Sequence, residues 1–218
     1  MAVLRCIGDC AHGGYVVGIG SRNYYVAYCV GICASFVPVQ LLDYQCLFSI
    51  LEQKEMKKIG LLSDTHNYWD EKYETYFVDC DEIWHAGDIG SLALAQRFES
   101  LGKTFRAVHG NIDDHLTRLS YPKTLRFTLE NVDVLLTHIG GYPGKYAFDI
   151  SRELRAHPPK LFVCGHSHIL KVMYDKQLEC LHINPGAAGK YGFHHVRTLV
   201  RFVLDAGNIR DLEVVEIE

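Results

Sequence analysis

The sequence predicts an α/β protein in which two β-sheets pack face to face with helices outside. Three observations predict it. Apolar runs of strand length recur from Lys57 onward and end in polar clusters. Two stretches between them carry helical spacing, and the last quarter reads as strand after strand.

"KIGLLSD" (58–64) is a buried strand, and "EIWHAGD" (82–88) is a second with the same apolar run closed by an acid. "LALAQRFESLG" places apolar residues at helical spacing before a closing glycine, so it is a helix. "TFRAVHGN" is a third strand. "KTLRFTLE" alternates like a half-exposed strand, and "NVDVLLTHIGG" follows it as a buried one. "DISRELRAH" is helical and stops before Pro158-Pro159. "KLFVCGHSH" is a strand ending in another polar cluster. "LKVMYD", "LECLHIN", "RTLVRFVLD" and "IRDLEVVEI" are strands, the last two a hairpin around Ala206-Gly207-Asn208.

The chain has 218 residues, 48% hydrophobic and 22% charged, which suits a folded domain and excludes a disordered one. Its formal charge of -4 gives no electrostatic signal for nucleic acid or an anionic membrane. Residues 1–55 differ from the rest. They hold five of the eight cysteines (Cys6, Cys10, Cys29, Cys33, Cys46), and their only charges are Arg5, Arg22, Lys54, Asp9, Asp43, Glu52 and Glu55. The C-x3-C pairs Cys6/Cys10 and Cys29/Cys33 fit structural zinc less well than C-x2-C. Cys80, Cys164 and Cys180 are spread out and read as core residues. "YYVAYCVGICASFVPVQLL" (24–42) is long and apolar enough for a membrane span, interrupted by Gly31, Ser35, Pro38 and Gln40. The expectation is a domain over 56–218 starting natively at Met56, with 1–55 as mis-assigned upstream sequence. A membrane anchor and a genuine small extension are the alternatives. Without an anchor the protein is expected in the cytoplasm.

Polar residues of metal-ligand type close the strands: Asp64 and His66, Asp88, Asn111, His138, and His166 with His168. The carboxyl edge of an open α/β sheet is where ligands bind, so these segments can share one crevice. In D-x-H and H-x-H the side chains lie two apart and face one way on extended chain. Seven such ligands suit two ions of near-octahedral geometry. Carboxylate, imidazole and amide together favour Mn, Fe or Zn over calcium. Taken singly, each residue is more simply a cap or turn. Five strand-closing motifs in order are not.

In that order, D-x-H, GD, GN, a lone His and GH-x-H resemble the signature of the calcineurin-like metallophosphoesterases. "GNID" and "INPGA" are similar to the small phosphodiesterase branch of bacteria and archaea. The resemblance spans Lys57 to Glu218 and implies a β-sandwich of two packed mixed sheets flanked by α-helices. It implies that Asp64, His66 and His168 hold one metal, that Asp88 bridges, and that Asn111, His138 and His166 hold the other. Manganese is expected, with iron, zinc or nickel as substitutes. The expected activity is a dinuclear metal-dependent phosphodiesterase that cleaves a small phosphodiester through a metal-bridging hydroxide. The alternatives are a phosphomonoesterase and a non-catalytic protein-binding scaffold, since the retromer subunit of the same fold works mainly through protein contacts. Phosphatase branches carry Gly-Asn-His-Glu, but here Ile112 follows Asn111, which leaves the leaving-group acid unassigned. His109 and Asp113 are weak candidates for it.

His85 is expected to orient the site. His194 and His195 could line its mouth, with surface exposure the default. Tyr68 and Trp69 could stack on a substrate or simply pack. Gly186, in "NPGAAG", could bring backbone amides to the site or serve an ordinary turn. Exposed β-edges in the tail allow a homodimer.

Overall fold

A computed structural model describes residues 4–9, 15–19 and 56–218. The chain divides into two units, 1–52 and 53–218. In the first, β1 (Leu4–Asp9) pairs antiparallel with β2 (Tyr15–Ile19). The apolar stretch 24–42 and the cysteine pairs fall outside the described residues. Among the described residues no helix is long and apolar enough to cross a membrane.

The second unit is built on two five-stranded mixed sheets. In one, β3 (Lys57–Leu62), β4 (Glu82–His85) and β5 (Thr104–Ala107) run parallel, and β13 (Arg197–Asp205) and β14 (Asn208–Ile217) complete it antiparallel. In the other, β12 (Cys180–Pro185), β10 (Leu161–Val163) and β7 (Val132–Thr137) run parallel. They are flanked by β11 (Leu170–Asp175) and β6 (Thr124–Leu129), both antiparallel. This is the α/β metallophosphoesterase fold that the strand pattern and resemblance imply.

The pleat sorts the core. On β3, Ile59 and Leu61 point into one cluster with Trp84, Val134, Leu136, Val163, Ile183 and Phe202, which draws on both sheets. Leu62 points the other way and joins Ile83, Tyr73, Phe77 and Phe98. That outer cluster is covered by α1 (Lys72–Tyr76) and α2 (Leu92–Glu99). Ser91 caps α2 by accepting a hydrogen bond from the Leu94 amide at 3.2 Å. On the other sheet, α4 (Phe148–Ala156) lays Ile150 and Leu154, four residues apart, against Phe162 and Cys164.

Three short elements escape the sequence pattern: α1, α3 (His115–Ser120), and the pair β8 (Gly141–Tyr142) and β9 (Lys145–Tyr146). Each is too short to show a period. The β13–β14 hairpin turns at Ala206-Gly207, both with positive φ (45° and 89°), with Asp205 opposite Asn208.

Candidate metal centre

The two parallel triplets end at the same place. Asp64 and His66 follow β3, Asp88 follows β4, Asn111 follows β5, His138 follows β7, and His166 and His168 follow β10. Their side chains form two clusters, Asp64–His66–His168 and Asp88–His138–His166. Asn111 joins the second through its Oδ1, 3.1 Å from His138 Nε2.

Asp88 faces both clusters. Its Oδ2 lies 3.8 Å from His66 Nε2, and its Oδ1 lies 3.2 Å from His138 Nε2. Asp64 Oδ1 is 3.3 Å from His168 Nε2 and 4.0 Å from His138 Nε2. Asp64 is fully buried, and this oxygen has no hydrogen-bond partner among the described residues. Its other oxygen accepts from Ser63 Oγ at 2.6 Å and from the His166 amide at 3.1 Å.

The donor set fits a divalent cation. His138 Nδ1 donates to the Ala86 carbonyl at 2.8 Å, so in the neutral ring Nε2 carries the lone pair. That lone pair faces Asn111 Oδ1, Asp88 Oδ1 and Asp64 Oδ1, all acceptors. Acceptors converging on one point, with an orphaned buried carboxylate oxygen among them, are satisfied by a positive ion. The other group, Asp64–His66–His168, offers one carboxylate oxygen and two imidazole nitrogens.

The carboxylates around His138 favour positive charge there, whether a proton or an ion. Burial opposes the Asp88 carboxylate. His138 and the Ile112 amide, 3.0 Å away, outweigh it and hold the pKa down at about 2. Burial likewise opposes a proton on His138, but hydrogen bonding and the charges of Asp88 and Asp64 lift its pKa above the ordinary value. His66 and His166 are pushed below it, chiefly by burial.

The backbone is bent to make the site. Asp64, His66, Asp88, His166 and His168 all have φ between 47° and 68°, the left-handed region that Asp and His enter more readily than most residues. Gly110 allows a close approach, because a Cβ there would lie 2.0 Å from Asp88 Oδ1 and 2.4 Å from its amide.

Neighbouring residues hold the loops. His85 is fully buried, and burial pushes its pKa down to about 4, so the ring is neutral. Its Nδ1 accepts from the Gly87 amide at 3.2 Å, and its Nε2 donates to Thr65 Oγ1 at 2.8 Å. Thr65 Oγ1 donates on to the Ile89 carbonyl at 3.1 Å. This relay fastens the loop between Asp64 and His66 to the one carrying Asp88. Asp113 accepts from the Gly90 and Gly110 amides, at 2.6 and 2.7 Å, and so ties the β4 and β5 loops together. Both its oxygens are committed to backbone. His109 turns to its neighbour's carbonyl, 3.1 Å from Gly110 O.

"NPGAAG" also holds rather than presents. The Gly186 amide donates to Asn184 Oδ1 at 3.0 Å, and the Ala188 and Gly189 amides donate to the Ser63 and Asp64 carbonyls. Trp69 packs on Tyr73 and Phe98 with Arg97 over its ring, and Tyr68 lies beneath Lys190. His194 sits 5.3 Å from the His168 ring and faces the Gly189 carbonyl at 3.0 Å, while His195 is exposed. Tyr191, unmarked by any sequence pattern, places its ring 5.0 Å from that of His66 and stays 72% exposed.

A two-sheet sandwich with paired carboxylate–imidazole clusters at its parallel strand ends defines the metallophosphoesterase class. Residues 56–207 match the family model described as the calcineurin-like phosphoesterase superfamily domain, and the chain belongs to that superfamily. Its metal dependence is a property of the family, matched here by the two clusters. Among solved structures, a novel archaeal phosphodiesterase is similar at 22% identity and TM-score 0.56, over 72% of this chain and 99% of that one. Wild-type Vps29 from Entamoeba histolytica, complexed with zinc, is similar at 14% identity and TM-score 0.54, over 73% and 98%. A predicted phosphoesterase from Streptococcus pneumoniae TIGR4 is similar at 19% identity and TM-score 0.50, over 74% and 98%. At these identities the likeness is one of fold. No curated protein matches the chain significantly.

Proposed function

We propose that the protein is a dinuclear metal-dependent phosphodiesterase acting on a small phosphodiester, with manganese as its working metal. The observation that carries this reading is Asp88, whose two oxygens each face a different ligand cluster. Two divalent ions, when bound, would supply Lewis acidity toward the phosphoryl oxygens and acidify water for attack on phosphorus.

The chain's own residues divide the remaining work. Asp64, His66 and His168 would hold one ion, and Asn111, His138 and His166 the other, with Asp88 between them. Asn111 binds without adding negative charge, so the centre keeps its attraction for a phosphate. The His85–Thr65 relay and the Asp113 tie keep the ligand loops in place. Ile112 stands where a protonating side chain would serve an alkoxide leaving group, and only its amide is engaged, on Asp88. Turnover is therefore expected to favour diesters whose leaving group needs no protonation.

The second reading is a protein-binding scaffold, which the fold of Vps29 keeps open. A full set of ligand side chains favours the enzyme. The test is hydrolysis of bis-p-nitrophenyl phosphate against p-nitrophenyl phosphate by metal-stripped protein resupplied with Mn²⁺, for wild type and Asp88→Ala. Metal-dependent turnover favouring the diester and lost in the variant supports the enzyme. Two bound metals with no turnover of either ester favours the scaffold.

A further inference from the structure

A cavity of about 330 Å³ opens beside the second ligand cluster, with His166 in its wall. Its volume holds on the order of ten waters, enough for one compact substituent and too small for a polymer strand. Lys145 and Lys171 line it, together with Tyr142, Ser167 and the fully buried His182, and no carboxylate does. Neither lysine forms an ion pair among the described residues. The Lys171 ammonium lies over the Tyr142 ring, 3.7 Å from its centroid. That contact fixes the cation and occupies the ring face, so the pocket offers charge rather than a stacking surface. Ser167 Oγ accepts from the Ile169 amide and from Asn184 Nδ2, which leaves its own proton free to donate.

A neighbouring cavity of about 350 Å³ shows the contrast. Its lysine, Lys123, is already paired with Asp149 at 2.9 Å, and Glu153 also lines it. Of these two cavities, the one that touches His166 holds the lysines with no ion pair among the described residues.

We propose, building on the phosphodiesterase reading, that this cavity seats one ester arm of the substrate and that this arm carries a second anionic group, a phosphate or carboxylate, bound by Lys171 and Lys145. The substrate class is thus a small diester with a charged arm, and the two lysines determine specificity.

The experiment uses the full chain loaded with Mn²⁺ and two p-nitrophenyl diesters of matched size, the 2-carboxyethyl and the propyl ester. Calorimetric titration of 2-carboxyethylphosphonate and propylphosphonate provides a readout independent of turnover. The carboxylate is expected to be favoured about tenfold in both kcat/KM and Kd, the effect of two partly exposed ion pairs. The preference is expected to fall below about twofold in the double variant Lys145→Met/Lys171→Met. It should persist in Lys171→Arg and in the neighbouring-cavity control Lys123→Met. Equal treatment of the two arms by the wild type, with both esters turned over, overturns the pocket and leaves the phosphodiesterase reading standing. A preference that survives the double variant overturns the assignment to these lysines. Tighter binding of the carboxylate phosphonate without hydrolysis of either ester supports the pocket and overturns the phosphodiesterase reading.

Discussion

His66 and His168 bring their Nε2 atoms within 3.1 Å of each other, from loops 102 residues apart. At that distance one ring can donate to the other, and a divalent cation would take the place of that proton between the two rings and the buried Asp64.

The clusters separate by stoichiometry. His168 belongs to one cluster, and Asp88 faces both. His168→Ala is expected to retain about one Mn²⁺ per chain, and Asp88→Asn well under one, with hydrolysis down more than about 100-fold in Asp88→Asn. Elemental analysis of dialysed protein checks this. Equal loss in the two variants would rule out a bridging role for Asp88.

Gly110→Ala tests the close approach without touching a ligand. The added methyl displaces the Asp88 carboxylate, so Mn²⁺ affinity is expected to fall by more than about tenfold. Competitive titration with a metal indicator reads this directly. Unchanged affinity would mean that Asp88 can shift and still bind.

Asp113→Asn separates support from catalysis. Losing a carboxylate bonded to two backbone amides is expected to cost about 1–3 kcal/mol, a fall of roughly 3–10 °C in Tm at this size. Turnover per folded molecule should change by less than about threefold, with an unshifted pH profile. A lost alkaline limb in that profile would make Asp113 the proton donor after all.

His182 gives the fold a pH dependence. Burial pushes its pKa from 6.5 down to about 4, with the Gly141 carbonyl, 3.0 Å from Nε2, only partly opposing. Above pH 6.5 both folded and unfolded chains carry the ring neutral, and stability is full. As pH falls toward 4 the unfolded chain takes a proton that the folded one refuses, so stability drops by up to roughly 3 kcal/mol and then levels off. Urea midpoints at pH 7 and 4.5 for wild type and His182→Gln check it. An identical pH difference in the two proteins would show that another group is responsible.

The sheets and the residues that converge at their ends were legible for one reason. A buried parallel strand is a continuous apolar run, and its end is marked by the first residues able to bind something. "KIGLL", "EIWHA" and "KLFVC" announce themselves in this way, and Asp64, Asp88 and His166 follow at once. The charged cavity was not legible. Lys145, Lys171 and His182 sit on three separate strands and meet only through pairings that no local pattern encodes. The roles of His85 and Asp113 were half legible, since sequence places them near the motifs but not which amide or hydroxyl each one meets. "NPGAAG" carries no local sign of its role, because its amides meet the Ser63 and Asp64 carbonyls and the Asn184 side chain only in the fold.

The left-handed backbone at Asp64, His66, Asp88, His166 and His168 has an evolutionary consequence. Each such turn costs on the order of 1 kcal/mol, which bound ions would help to offset. While ion binding is under selection, the sum is maintained. In a descendant that no longer needs the ions, glycine at any of these positions relaxes the turn and removes a carboxylate or imidazole in a single step. Inheritance of this fold is therefore expected to be asymmetric, with its ligands lost far more easily than they are regained.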